Sequence, residues 1–442
     1  MNGTFPRNGR VYSANGHRRR AAWLDILRLA TPGIGLKRWM LLGALGMLMC
    51  LIGLVYVFIE LVTLRPPDML PSFLEGAILL LGGGLVIYFA MFGLYRSVGP
   101  LILDSPAINS IASTIYMRRS LARGPRIVAI GGGTGQSVLL RGLKAHTDNL
   151  TAIVTVGDDG GSSGRLREEL GVLPPGDFRN CLVAMSDAEP LVEDLFQYRF
   201  EEGDCLKGHS FGNLFIAAMT GVTDSFDKAL VESSRVLAVH GKVVPATMAN
   251  LRLSVKQKSG DVIHGESNVA MAQGGIDRLM IDPPDASAHP MAIEALREAQ
   301  VIVIGPGSLY TSILPNLMVD GISEAIKASP ATKIYISNIS TQQGETEGYS
   351  VRDHHDALTK HTGTDIVDHV IANDNPRELG PNFYGTPVFH DGDMLKGARL
   401  HLTDLTDAMH PVRHDPEKLA RSIMAVYHES SRPRSLIRLA MN

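Results

Sequence analysis

Arg126 to Leu143, RIVAIGGGTGQSVLLRGL, is the stretch on which the fold turns. Its opening, Arg126-Ile-Val-Ala-Ile130, is a short, β-branched run, the pattern of a buried strand of a parallel sheet. Its end, Val138 to Leu143, reads as a helix. Between them stand Gly131, Gly132, Gly133, Thr134 and Gly135, then Gln136 and Ser137. Strand, glycine turn and helix together present unpaired N–H groups at a helix N-terminus, where a phosphate is stabilised. Without a Cβ, glycine lets the backbone approach such a ligand. The match to named motifs is partial. A dinucleotide fingerprint wants a third spaced glycine where Gln136 or Val138 stands, and a Walker-type loop wants a lysine that is missing. A plain tight turn is the competing reading.

Downstream, Thr151 to Val156 reads as a second strand that delivers Asp158 and Asp159 at its carboxyl end, where open parallel sheets place their ligands. Paired aspartates there suit a magnesium ion carrying phosphates, a ribose hydroxyl or a proton to be moved. Capping of a helix beginning at Arg165 is the alternative. In DDGGSSGRLR, Asp158 to Arg167, the glycines Gly160, Gly161 and Gly164 offer N–H donors and Ser162 and Ser163 offer hydroxyls. Arg165 and Arg167 offer forked cations. The stretch reads as an anion cradle with acids at hand, against a ligand-free charged loop. PPGDFRN, Pro174 to Asn180, adds a turn-rich polar segment containing Asp177 and Asn180.

Three further segments join the candidates. In GHSFGN, Gly208 to Asn213, His209 can act as acid or base near neutral pH, or be an ordinary loop residue. Ser210 and Asn213 there cap the next helix or bind ligand, and Ser210 has no base at a spacing that would make it a hydrolase nucleophile. Val301 to Ile304 is another buried strand, followed by a glycine turn with Gly307, in which Ser308, Thr311 and Ser312 can donate to phosphate oxygens and Tyr310 can stack or hydrogen-bond. That repeat implies a crevice lined from two sides, or simply a sharp bend at Pro306. A strand over Lys333 to Ser337 ends at Asn338, with Gln342 and Glu345 beyond it as readers of a sugar or base edge. His354 and His355 are adjacent, so their side chains point apart and do not share one metal ion.

The chain has 442 residues, 45% of them apolar, and a net charge of −3, too small to imply a nucleic-acid partner. Its three cysteines, Cys50, Cys181 and Cys205, form no CxxC pair, which argues against a disulfide framework or zinc site. Trp39 to Ile59 and Ala77 to Tyr95 are uncharged runs of membrane-crossing length, with a proline-rich connector between them. Arginines crowd the N-terminal tail and the segment after the second run, while the connector holds only Arg65. A two-span hairpin in the cell membrane, with both termini cytoplasmic, follows. The predicted organisation is a basic tail (1–37), the hairpin (38–96), an amphipathic connector (97–124) in which Ile108, Ile111 and Ile115 share a helical face, an α/β domain (125–430) and a short tail (431–442).

The motifs GGGTG, DDGGSSGRLR, PPGDFRN, FQYRF, GHSFGN and GPGSLYTSILPNL, in this order over Pro125 to Tyr427, together resemble the YvcK-type gluconeogenesis factors. That group shares a superfamily with 2-phospholactate transferase, and the intact DDGGSSGRLR is similar to the gluconeogenesis-factor branch. The resemblance implies a Rossmann-like α/β fold, a mostly parallel sheet with helices on both faces. It implies a uridine diphosphate sugar such as UDP-N-acetylglucosamine as ligand, with Tyr384 against uracil and Arg421 on the diphosphate. It also implies a regulatory partner protein of cell-wall precursor synthesis and a role in cell shape; a homo-oligomer is left open. The alternative is a transferase with magnesium at Asp158 and Asp159 and with Arg165 on the developing charge. A dinucleotide-dependent oxidoreductase fits less well. The membrane hairpin departs from the many soluble members.

Overall fold

The computed structural model describes residues 36–61, 72–102, 119–187, 190–376, 385–390 and 395–431. The chain divides into two units, Met1–Ala122 and Arg123–Asn442. In the first, α1 (Leu36–Leu61) and α2 (Ser72–Ile102) contain both apolar runs read from the sequence. Their windows Leu41–Phe58 and Gly76–Gly93 have mean hydropathies of 2.5 and 2.0 and are long enough to cross a bilayer. The helices pack closely because glycines face their neighbours: a Cβ on Gly83 would lie 2.5 Å from Cys50 Sγ. Within those two windows no residue is charged, and Leu41, Leu51, Leu81 and Phe92 are among the exposed apolar side chains. The proline connector, Ile108, Ile111 and Ile115 lie outside the described residues.

The second unit is built on a seven-stranded sheet. Its strands are β1 (Ile127–Gly131), β2 (Leu150–Val154), β3 (Lys242–Pro245), β7 (Val301–Ile304), β8 (Thr332–Ile336), β9 (His369–Asn373) and β10 (Arg399–Thr403). Their spatial order is β10-β9-β8-β7-β1-β2-β3, and every neighbouring pair is parallel. The central strands are buried end to end, which is why they read as unbroken apolar runs. Between β3 and β7 the chain makes a separate antiparallel sheet of β4 (Arg252–Gln257), β5 (Val262–His264) and β6 (Ile276–Asp282), in the order β5-β4-β6. The main sheet winds outward from β1 to β3, returns to the other side of β1 at β7, and winds outward again to β10. β1 and β7 therefore flank the switch point, outside whose carboxyl ends a crevice must open.

Several helices start earlier than the sequence pattern implies. α3 is Gly133–Leu143, α4 is Gly161–Leu170 and α5 is Gly176–Met185. The glycine and serine residues expected to form loops are thus first turns of helices. α6 (Pro190–Gln197), α7 (Phe211–Thr223) and α8 (Phe226–Val236) follow before β3.

Candidate functional site

A cavity of about 390 Å³ opens at the switch point. Gly132, Gly133, Thr134 and Gly135 form one wall, where α3 begins; Pro306, Gly307, Ser308, Thr311 and Ser312, after β7, form the other. Gly133 holds φ +62, which the turn needs and which glycine adopts without strain. The two turns touch: a Cβ on Gly135 would fall 2.5 Å from the Pro306 carbonyl oxygen. Asn338 and Gln342, beyond β8, also line the cavity and bond to each other at 3.2 Å. Gly131 is the buried last residue of β1, and its carbonyl accepts from Asn316.

Carboxylates border this crevice. Asp177, at the start of α5, accepts from the Gly133 N–H; burial, then the Asp158 charge, push its pKa up to about 6. Glu266 lines the cavity, and burial followed by Asp158, Asp159 and Asp177 raises it to about 8. Glu345 also lines it and is raised by burial. It accepts from Ser308 Oγ at 2.6 Å and from the Tyr310 N–H at 3.1 Å, and Thr311 Oγ1 donates to Ser308 Oγ at 2.6 Å. The hydroxyls expected to meet a phosphate are thus already engaged around Glu345. Among the described residues that line it, Arg413 is the one cation. Its neighbour His414 also faces the cavity; its Nε2 donates to the Ser337 carbonyl at 3.1 Å, and burial pulls its pKa down to about 4.

The paired aspartates have different roles. Asp159 accepts from the N–H groups of Glu266 at 2.8 Å and Ser267 at 2.9 Å, capping the short 3₁₀ helix Glu266–Met271. It does cap a helix, but not the one that follows it in sequence. Asp158 accepts from the Gly160 N–H through Oδ1 at 3.0 Å. Among the described residues no three His, Cys, Asp or Glu side chains are grouped to hold a metal ion. On the far side of Asp159, a cavity of about 710 Å³ lies between α4 and the small sheet, lined by Arg167, Arg252 and His264 among others.

The rest of DDGGSSGRLR departs from the predicted cradle. Ser162 and Ser163 are buried in the first turn of α4. Ser162 Oγ meets His209 Nδ1 at 2.9 Å and accepts from Asn213 Nδ2 at 3.1 Å, while Ser163 Oγ accepts from the Gly176 N–H at 3.1 Å. Arg167 is buried and donates to the carbonyls of Asp158 and Leu251. Arg165 donates to the Lys207 carbonyl at 2.8 Å. Gly161 is exposed at φ +48 with open space beside it. Ser210 caps α7 and accepts from Arg179 at 2.5 Å, and Arg179 also donates to Asn180 Oδ1 at 2.9 Å. His209 is 3% exposed, and burial, then Arg165, lower its pKa, so it stays neutral at pH 7. These residues knit α4, α5 and α7 together behind the crevice.

Two other assignments change. Tyr310 is buried with its hydroxyl 2.9 Å from that of Tyr349, so it belongs to the core and cannot stack on a ligand. Arg421 is exposed on the helix Pro416–Ser430, whose neighbouring Leu419, Ala420 and Ile423 form its buried face, and it does not line the cavity. Tyr384 lies outside the described residues. Sequence reasoning missed Glu266, Arg413 and His414. None sits in a glycine motif or directly at a strand end, so only their arrival in space marks them.

Residues 127–426 match the family described as 2-phospho-L-lactate transferase CofD. A putative gluconeogenesis factor from Nostoc is 44% identical over 420 residues, covering 90% of this chain and 91% of that relative. The gluconeogenesis factor of Bacillus subtilis is 47% identical over 313 residues, covering 69% of this chain and 99% of that protein. A crystal structure from Bacillus halodurans, 46% identical, covers 68% of this chain and 99% of its own with a TM-score of 0.66.

Proposed function

Since the chain belongs to the 2-phospho-L-lactate transferase CofD family, in which its relatives include gluconeogenesis factors, we propose that it is a membrane-tethered regulator that binds a nucleotide sugar. The ligand is a uridine diphosphate sugar of the UDP-N-acetylglucosamine kind. The domain reports its level to a partner protein of cell-wall precursor synthesis, and so to cell shape. The observation that carries this reading is the crevice between two glycine turns, Gly132–Gly135 at the start of α3 and Pro306–Ser308 after β7, with Arg413 as a lining cation. N–H groups at a helix start favour a diphosphate, and a guanidinium adds forked donors. Its volume, about 390 Å³, lies in the range of small-molecule sites. In this reading the α1–α2 hairpin anchors the chain by two spans with the α/β unit on the cytoplasmic side; the length and apolarity of both helices and their arginine-rich flanks support it.

A second reading, a magnesium-dependent transferase, draws on the acids and on the wider cavity beyond Asp159, which offers room for a second substrate. Asp158 fits one hydrated magnesium ion, because Mg²⁺ commonly uses one or two carboxylates and completes its shell with water and phosphate. Asp159 fits less well, with both oxygens engaged by backbone N–H groups. A bound ion would neutralise charge on a transferring phosphoryl group. Asp158 would hold it, while Asp177 and Glu266, both raised in pKa, are suited to keep or pass a proton at the crevice.

Turnover separates the readings. The full chain in detergent micelles, given UDP-N-acetylglucosamine and magnesium, should melt at a higher temperature and return the sugar nucleotide intact on chromatography. Sustained release of UMP or UDP would replace the regulator with the transferase. No shift with any uridine nucleotide would remove the regulator reading from this crevice.

A further inference from the structure

Two histidines meet on the outer strands of the main sheet. His369 opens β9, and His401 stands at the middle of β10, the edge strand. The two strands are parallel, with His369 opposite Arg399. Alternation along β10 puts His401, two residues on, on the same face as His369. Both are half-buried there, and the rings turn toward each other, with His369 Nδ1 2.9 Å from His401 Nε2. Neither residue lines the crevice.

Hydrogen bonding around His369 fixes which of its nitrogens is bare. Ser430, the last residue of the helix Pro416–Ser430, donates its one hydroxyl proton to the Val426 carbonyl at 2.9 Å. The Ser430 oxygen, 3.2 Å from His369 Nε2, is then left to accept, so Nε2 carries the ring proton. Neutral His369 therefore keeps a lone pair on Nδ1, facing His401. Metal-bound histidines are held in this way: the far nitrogen donates to a fixed partner, and the near one stays basic. His401 can match it by carrying its proton on Nδ1, which has no hydrogen-bond partner among the described residues.

We infer that His369 and His401 bind one divalent transition-metal ion of the zinc class between Nδ1 and Nε2, with water completing its coordination. Imidazole nitrogens suit zinc, copper and nickel, whereas magnesium takes oxygen ligands. Tetrahedral zinc about 2.0–2.1 Å from each nitrogen sets the two roughly 3.3 Å apart, so the rings need to part by only about 0.4 Å from their 2.9 Å separation. Arg399 and Glu429 act on both rings but pair with each other at 2.7 Å, and so leave no net charge against a cation. Structural zinc sites use four protein ligands and catalytic ones three, so two ligands make an open, exchangeable site. Its ion would tie the edge strand to its neighbour. The site stands apart from the nucleotide reading, because it shares no residue with the crevice.

The test uses the full chain in detergent micelles, stripped of metal with a chelator. Calorimetric titration with zinc chloride, under excess magnesium to occupy carboxylates, should show one saturable equivalent, and the melting temperature should rise with it. His401→Phe keeps a flat ring and removes the ligand. It should lose that equivalent, with affinity falling by more than the roughly 10- to 100-fold that losing an outer partner costs. A fall of less than about 10-fold overturns the proposal, as does a wild-type chain with no saturable zinc. Should His401→Phe fail to fold, the wild-type chain still decides. One equivalent of copper(II) should show two coordinated imidazole nitrogens by electron paramagnetic resonance, and fewer than two refutes the pair.

Discussion

Asp159 and Glu266 touch through the backbone and oppose each other through charge. The Asp159 carboxylate accepts from the Glu266 N–H, while burial, then the charges of Asp158 and Asp159, raise the Glu266 carboxyl to about 8. An acid whose folded pKa lies above its unfolded value keeps its proton longer in the native state. Its contribution is fully present below the unfolded pKa of 4.5 and is lost as pH rises through 8. Glu266→Gln should therefore flatten the fall in melting temperature between pH 4.5 and 8; an unchanged pH profile would show that Glu266 ionises freely. Arg413→Ala should weaken uridine nucleotide binding by about 1.5–3 kcal/mol, roughly 10- to 150-fold, because a charge-assisted contact to phosphate is lost. Calorimetric titration measures it, and unaltered affinity would take Arg413 out of the site.

At the scale of elements, the decisive contact is that between the opening of α3 and the turn after β7. Gly135→Ala would press a methyl group onto the Pro306 carbonyl and cost about 1–3 kcal/mol, read as a lower denaturant midpoint for the full chain. A midpoint equal to wild type would mean that the turns separate easily. The strands here were legible in the sequence. Ile127–Ile130 and Val301–Ile304 are apolar without interruption, as strands covered on both faces are. The helix starts were not legible, because Gly133 to Gly135 and Gly161 to Gly164 have turn-like composition yet adopt helical first turns. The task of Asp159 was hidden for another reason: its partner N–H groups lie 107 and 108 residues downstream, beyond any local pattern. Ser162, His209 and Asn213 were singled out by motif, and they do meet, but as an internal brace.

Across the whole molecule, strand order accounts for the position of the crevice. β1 lies between β2 and β7, so the chain's reversal of direction falls beside the glycine turn that opens α3. Alternating strands and helices implied the parallel sheet, and repeated glycine turns implied two walls. The cation on the far rim, Arg413, was out of reach, because it arrives from the segment after β10, the outermost strand. The same order sets a timetable for the newborn chain. Arg126, just before β1, bonds to Gln300, 174 residues later, next to the strand that must pair with β1. At ordinary translation speeds of 5–20 residues per second, β1 waits roughly 10–35 s for that partner. Through that interval one edge of a fully apolar strand stands open to pairing with other chains, so this topology gains from any shielding of the nascent chain during synthesis.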